Sequence, residues 1–126
     1  MDSTALKQRT KEFAIKIIQL AQDLEKNYGN TGRKIGDQIL RSGTSVYSNY
    51  RAACRCKSAK DFIHKMGTVA EEADETFGWL ELLVASGVVK LSLVEGLLKE
   101  ADELTAIMTS SRNTAIKNQK DKVSDN

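Results

Sequence analysis

The sequence has no proline, one histidine, two cysteines and only 6% aromatic residues in 126 positions. Proline punctuates loop-rich and β-rich folds, so its absence over this length favours long uninterrupted helices. Two cysteines cannot staple a small secreted scaffold, and on a helix Cys54 and Cys56 would point about 200° apart, too divergent for a bond. The sole histidine, His64, cannot complete a four-ligand zinc set with two thiols. No metal and no cofactor are expected. The same scarcity weakens nucleophilic triads and acid–base schemes, and there is no GxxxxGK[ST] loop, GxGxxG turn or HExxH pair. The Arg-x4–6-His spacing of helical RNA-cleaving toxins is also missing, because His64 follows Arg55 by nine residues. The expectation is a protein without enzymatic activity. No run approaches the ~20 apolar residues of a bilayer helix. The N-terminal MDSTALKQRTKEF is charged where a signal peptide needs its apolar segment, so a cytoplasmic protein with no membrane partner is expected.

What is present is 40% hydrophobic and 29% charged residues, enough apolar material for one core. Apolar residues recur at three- and four-residue steps in four segments. The first, about Thr4 to Asn27, carries Phe13, Ile17, Leu20 and Leu24, and ends at the turn signal Tyr28-Gly29-Asn30-Thr31-Gly32. The second, from Thr31 or Gly32 to Cys54, carries Ile35, Ile39, Val46, Tyr50 and Ala53. Ser58 with Asp61 reads as the cap of a third helix over about 59–85, with Phe62, Met66, Val69, Ala73, Leu80 and Val84 on one side. Ser92 and Glu95 read as the opening of a fourth, bearing Val94, Leu97, Leu98, Ala101, Leu104 and Met108. Four such helices joined by short loops predict an all-α, antiparallel up-down-up-down four-helix bundle. A single domain covers residues 1–117, and the polar stretch 118–126 is expected to fray.

The net charge of +2 conceals a polarised chain. Residues 31–66 carry eight basic and two acidic side chains, whereas 67–107 carry two basic and nine acidic. On a helical wheel of ~100° per residue, Arg33, Arg41, Arg51 and Arg55 share one face of the second helix, interleaved with Thr44 and Ser48. Arginine forks and hydroxyl groups suit phosphate oxygens, so Arg33, Arg41, Arg51, Arg55, Lys57, Lys60 and Lys65 are the candidate nucleic-acid contacts. A solvated face, or salt bridges to the acidic third helix, is the plainer reading. The stretch Ser42-Gly43-Thr44-Ser45-Val46-Tyr47-Ser48-Asn49 is a poor helix former; it predicts a close helix–helix approach with a buried polar contact, with ligand binding as the alternative. Trp79 and Leu82 fall away from the third helix's apolar stripe, on the face shared with Glu72, and Ile15 and Ile18 do the same on the first helix. These five residues are the candidate interface of a homo-oligomer.

The segment RSGTSVYSNYRAACRCKSAKDFIHKMGTVAEEADETFGWLELLVASG resembles the core of the four-helix-bundle family of 23S rRNA intervening-sequence proteins. The matching features are Ser45-Val46 with Asn49, the basic turn Arg55 to Lys57, Ser58-Asp61-Phe62, the paired Glu71-Glu72 with Glu75, and Leu82 with Ala85. The resemblance implies a homopentameric ring and a link to RNA. A relative, the accessory variability protein of diversity-generating retroelements, is a basic pentamer that binds nucleic acid and a reverse transcriptase. This chain departs from the commoner N-[IL]-A-E-G-x-G pattern with Asn49-Tyr50-Arg51-Ala52-Ala53-Cys54-Arg55, which is more basic and more helical.

Taken together, the residues and the resemblance predict a non-enzymatic oligomer that binds structured RNA, or DNA, through phosphate contacts. The rival expectation is a protein-interaction scaffold whose basic and acidic belts pair between subunits.

Overall fold

The computed structural model describes residues 1–124; Asp125 and Asn126, the end of the expected tail, lie outside the described residues. Four helices follow one another, α1 (Ser3–Asn27), α2 (Gly29–Cys54), α3 (Ala59–Ala85) and α4 (Leu91–Ser124). Each packs antiparallel on its chain neighbour, and α4 returns beside α1 with only a light contact between the two. The core is the apolar stripe of each helix: Phe13, Ile17 and Leu24 from α1, Ile39 and Val46 from α2, Met66, Val69, Leu80 and Leu83 from α3, and Val94, Leu104 and Met108 from α4.

The helix ends follow from local chemistry. Asp2 caps α1, its carboxylate accepting the Ala5 N–H at 2.8 Å, and the Ser58 hydroxyl accepts the Asp61 N–H at 3.1 Å. Gly29 (φ +70°) and Gly87 (φ +80°) supply left-handed backbone at the α1–α2 and α3–α4 turns, where a Cβ would be strained. Because Gly29 reverses the chain in so few residues, α2 starts at Gly29 and not at Thr31 or Gly32.

Two other ends differ from the sequence expectation. The start of α4 is Leu91, so Ser92 lies inside the first turn. Upstream of it, Val89 is buried and donates its N–H to the Leu83 carbonyl at 3.2 Å; this ties the chain to α3 and fixes where the next helix can begin. The helix also does not stop at Lys117 but continues to Ser124. Extending an existing helix costs little once its nucleus is made, and 118–123 contains good helix formers with no proline.

The weak helix formers of α2 have a packing role. A Cβ on Gly43 would sit 2.7 Å from both Cγ atoms of Ile17, and one on Gly36 would meet Leu24 at 3.3 Å. On the α3 side of the same turn, buried Thr76 donates its hydroxyl hydrogen to Ser42 Oγ at 2.8 Å. Asn49 donates to the Ser45 carbonyl and hydroxyl at 3.0 and 2.7 Å. The 42–49 stretch therefore lets α1 approach closely on one side and makes a buried polar contact on the other.

Gly43→Ala is expected to lower stability by about 1–3 kcal/mol, because β-branched Ile17 has no alternative rotamer to retreat to. Gly78→Ala, where nothing lies within 4 Å of the new Cβ, is expected to raise it by about 0.5–1 kcal/mol through helix propensity. Denaturant melts of both variants check the opposite signs. A second expectation concerns alkali. Burial pushes the Tyr50 phenol above its ordinary value, and the neighbouring Cys54 adds to this. The unfolded phenol releases its proton first, so stability falls as pH rises past about 10. Tyr50→Phe should remove that share of the loss in a melting series from pH 8 upward.

Candidate nucleic-acid interface

Antiparallel packing brings together ends that the chain holds apart. The starts of α1 and α3, the ends of α2 and α4 and the 55–58 turn share one end of the bundle. Residues 1–14, 42–70 and 108–124, which build that end, hold twelve basic and four acidic side chains; 15–41 and 71–107 hold seven and twelve. Blocks that alternate along the sequence become an axial polarity, basic at one end and acidic at the other. Such a field draws polyanions toward the basic end.

The predicted arginine face of α2 is not uniform. Arg51 and Arg55 are exposed near its C-terminus. The Arg51 guanidinium lies over the Tyr47 ring, 5.7 Å from its centre, a cation–π contact that orients the fork without neutralising it. Tyr47, Ser48, Arg51 and Arg55 line one shallow depression. Tyr47 also lines a second, shared with Lys7 and Lys11 of α1 and flanked by Asp2. The tyrosine thus joins two arginines of α2 to two lysines of α1. Lys57 and Lys60 are exposed at the adjoining turn and the start of α3, and Lys65 is half-buried.

Arg41 is corrected. It donates to Glu72 Oε2 at 3.2 Å and is ion-paired with Glu75, both on α3 of the same chain. Its fork is occupied at the exposed α2–α3 surface, where the α2·α3 packing brings these groups level. Glu72 is held by that pair. Arg33, at the opposite end of α2, is exposed and donates to the Asn30 side chain at 3.0 Å, nearly four turns from Tyr47. The interleaved hydroxyls are also committed: Thr44 donates to the Leu40 carbonyl at 2.6 Å and Ser48 to the Ser45 carbonyl at 3.3 Å. They offer lone pairs, not donors, to a phosphate.

The five candidate interface residues divide in the same way. Ile15, Ile18 and Leu82 are exposed, by 46%, 40% and 52%. Trp79 is half-buried and packs on the core from the flank of α3. Its indole is long enough to turn inward from a position that the wheel places off the stripe. On α1, Arg9 donates from Nε and Nη2 to both carboxylate oxygens of Glu100 at 2.8 and 2.6 Å, and from Nη2 to Glu103 at 2.6 Å. Hydrogen bonding to Glu100 raises the basicity of Arg9, against the opposing effect of burial. Among the described residues, no group of three or more His, Cys, Asp or Glu is placed to hold a metal ion, and no helix is long and apolar enough to cross a membrane.

The fold defines an antiparallel four-helix bundle with a basic end. The chain belongs to the family of 23S rRNA-intervening sequence proteins, whose model matches residues 3–110. It is also similar to a crystal structure from Bacteroides thetaiotaomicron, a protein of unknown function from the S23 ribosomal protein family. The two chains are 32% identical and superpose with a TM-score of 0.79, over 90% of this chain and 99% of that one. Comparison with curated proteins gave no match.

Because Arg41 is engaged within the chain, Arg41→Gln should change affinity for a structured RNA by less than about twofold while costing about 0.5 kcal/mol of stability. Arg51→Gln should do the reverse, weakening binding several-fold with an unchanged melt. Fluorescence anisotropy and thermal melts on the same samples separate the two effects.

Proposed function

We propose that this protein is a non-enzymatic, oligomeric nucleic-acid-binding protein that holds the phosphates of a structured RNA at the basic end of its bundle. The observation that carries this reading is the Tyr47 cluster, in which Arg51 and Arg55 of α2 adjoin Lys7 and Lys11 of α1. None of these four cations is ion-paired among the described residues. Four unpaired cations beside the basic α2–α3 turn fit a polyanion with repeated charges better than a single small anion. Contacts of this kind position a backbone and carry no base readout, so discrimination comes from the shape of the RNA. Tyr47 is the one aromatic in the cluster, and one ring is too few for a single-strand stacking platform.

Assembly is the second part of the reading. Ile15, Ile18 and Leu82 are large apolar side chains left in contact with water, and the family resemblance favours a ring of five in the cytoplasm. A ring multiplies the basic end by the number of subunits, so that several weak phosphate clusters act on one RNA. The rival scaffold reading needs the basic and acidic belts to pair between subunits. Its strongest candidate pair, Arg41 with Glu72 and Glu75, forms within one chain, which favours leaving the remaining cations to a nucleic acid.

The test is anisotropy binding to an RNA hairpin and a matched DNA duplex across a salt series. Four phosphate contacts per protomer predict a log–log slope of about −3.5 or steeper. Arg51→Glu/Arg55→Glu should weaken binding by more than about tenfold and flatten the slope by about 2, with its oligomeric mass unchanged. Absence of binding by the wild-type protein at low salt would contradict the reading.

A further inference from the structure

The seam between α1 and α4 is the one place where the bundle does not close. These two helices touch only over a short stretch, with the Arg9–Glu100–Glu103 cluster as their polar link. Beside it lies a groove of about 560 Å³, floored by Phe13, Leu20, Leu93 and Leu97. Gly96 forms part of its α4 wall, and a Cβ there would meet nothing within 4 Å. The rim carries Glu12 and Asp23 against one cation, Lys16, with Glu100 already paired to Arg9. An apolar trough with an acidic rim fits an apolar helix ridge flanked by basic side chains.

The chain itself carries such a ridge. On α1, Ile15 and Ile18 are exposed, and Lys11, Gln22 and Lys26 continue the same line at four-residue steps. Ridge and groove rim lie about 100° apart around α1 at ~100° per residue. One copy therefore cannot fill its own groove, and two copies cannot fill each other's about a two-fold axis through this helix. A contact between two different faces repeats in one direction, and it closes into a ring when the rotation between copies divides a full turn. In a ring whose axis runs along the helices, rotation moves no residue along that axis, so each ridge meets the neighbouring groove at its own height. Lys11 then comes level with Glu12 of the neighbouring copy, Lys26 with its Asp23, and the two isoleucines with the apolar floor between.

We propose that the Ile15–Ile18 ridge of α1 in one copy seats in the α1·α4 groove of the next, so that a second copy of this chain is the groove's occupant. The proposal rests on the oligomeric reading above and says which two surfaces make the contact. It accounts for the exposed isoleucines and the open seam by one interaction, and of the Tyr47 cluster it draws on Lys11 alone, leaving Lys7, Arg51 and Arg55 outside the contact.

The experiment is sedimentation of the full chain and two variants, singly and mixed. Gly96→Trp fills the groove from a position with free space; Ile15→Glu/Ile18→Glu destroys the ridge. The wild type should run as a closed oligomer and each variant as a monomer with a melting temperature within a few degrees of wild type. Mixed in equal amounts, the two variants should form a heterodimer, because one retains an intact ridge and the other an intact groove. If Gly96→Trp does not melt cooperatively, Leu93→Glu, at another groove position, takes its place. Assembly of both variants to the wild-type mass would overturn the proposal and leave the oligomeric reading standing, with the groove open to some other occupant. Variants that are monomeric alone and stay monomeric when mixed would also overturn it. A wild type that runs at 13.9 kDa would overturn both the proposal and the oligomeric reading.

Discussion

The close approach of α1 to α2 governs where the Tyr47 cluster and the α1·α4 groove lie. Gly43 and Gly36 face Ile17 and Leu24 with no side chain between, so α1 settles against α2 at a depth that no larger residue would permit. Two consequences follow. Lys7 and Lys11 are drawn up to Tyr47, which creates a cluster of cations from two helices. On its other side α1 stands off from α4, leaving the trough over Phe13 and Leu20. The polar link across that seam is Arg9, whose two-pronged contact with Glu100 is charge-assisted and only partly exposed. A glycine-dependent contact thus sets the spacing on both flanks of one helix.

Electrostatics follows from topology. An up-down-up-down bundle alternates which end of each helix lies at the top. The basic 42–70 stretch and the basic C-terminal block therefore meet at one end, while the acidic 71–107 block occupies much of the other. The α2–α3 turn is the hinge of this sorting. Across the middle, Arg41 with Glu72 and Glu75 joins the basic helix to the acidic one and holds α2 and α3 in register, together with Thr76 and Ser42. What remains unpaired is concentrated at the end, where a polyanion can reach it.

Much of the fold was legible because it is local. The period of the apolar residues placed Phe13, Ile17, Leu24, Ile39, Val46, Met66, Val69 and Leu104 in the core. The Ser58 cap marked the start of α3 to the residue, and the small residues of α2 announced a close approach. The misjudged features depend on neighbours in space. A helical wheel gives an angle about one axis, so it could place Arg41 on an outer face but could not show carboxylates of α3 beside it. It likewise put Trp79 off the stripe without showing that the indole folds back on the core. Lys7 and Lys11 gave no signal, since α1 is nearly neutral as a segment and their relevance depends on the α1·α2 register. Ser92 has the sequence of a cap, but Val89 is anchored to α3 upstream of it and the helix begins first at Leu91.

The central claim is that the basic end of the bundle, organised around Tyr47, is the surface that meets RNA. Lysine-reactive labelling read by mass spectrometry, with and without a saturating RNA hairpin, tests it most directly. The account predicts that RNA protects Lys7, Lys11, Lys57 and Lys60, while Lys90 and Lys99 toward the acidic end label as they do in the free protein. Protection centred on Lys90 and Lys99, or no protection at any lysine under conditions where the RNA is bound, would contradict it.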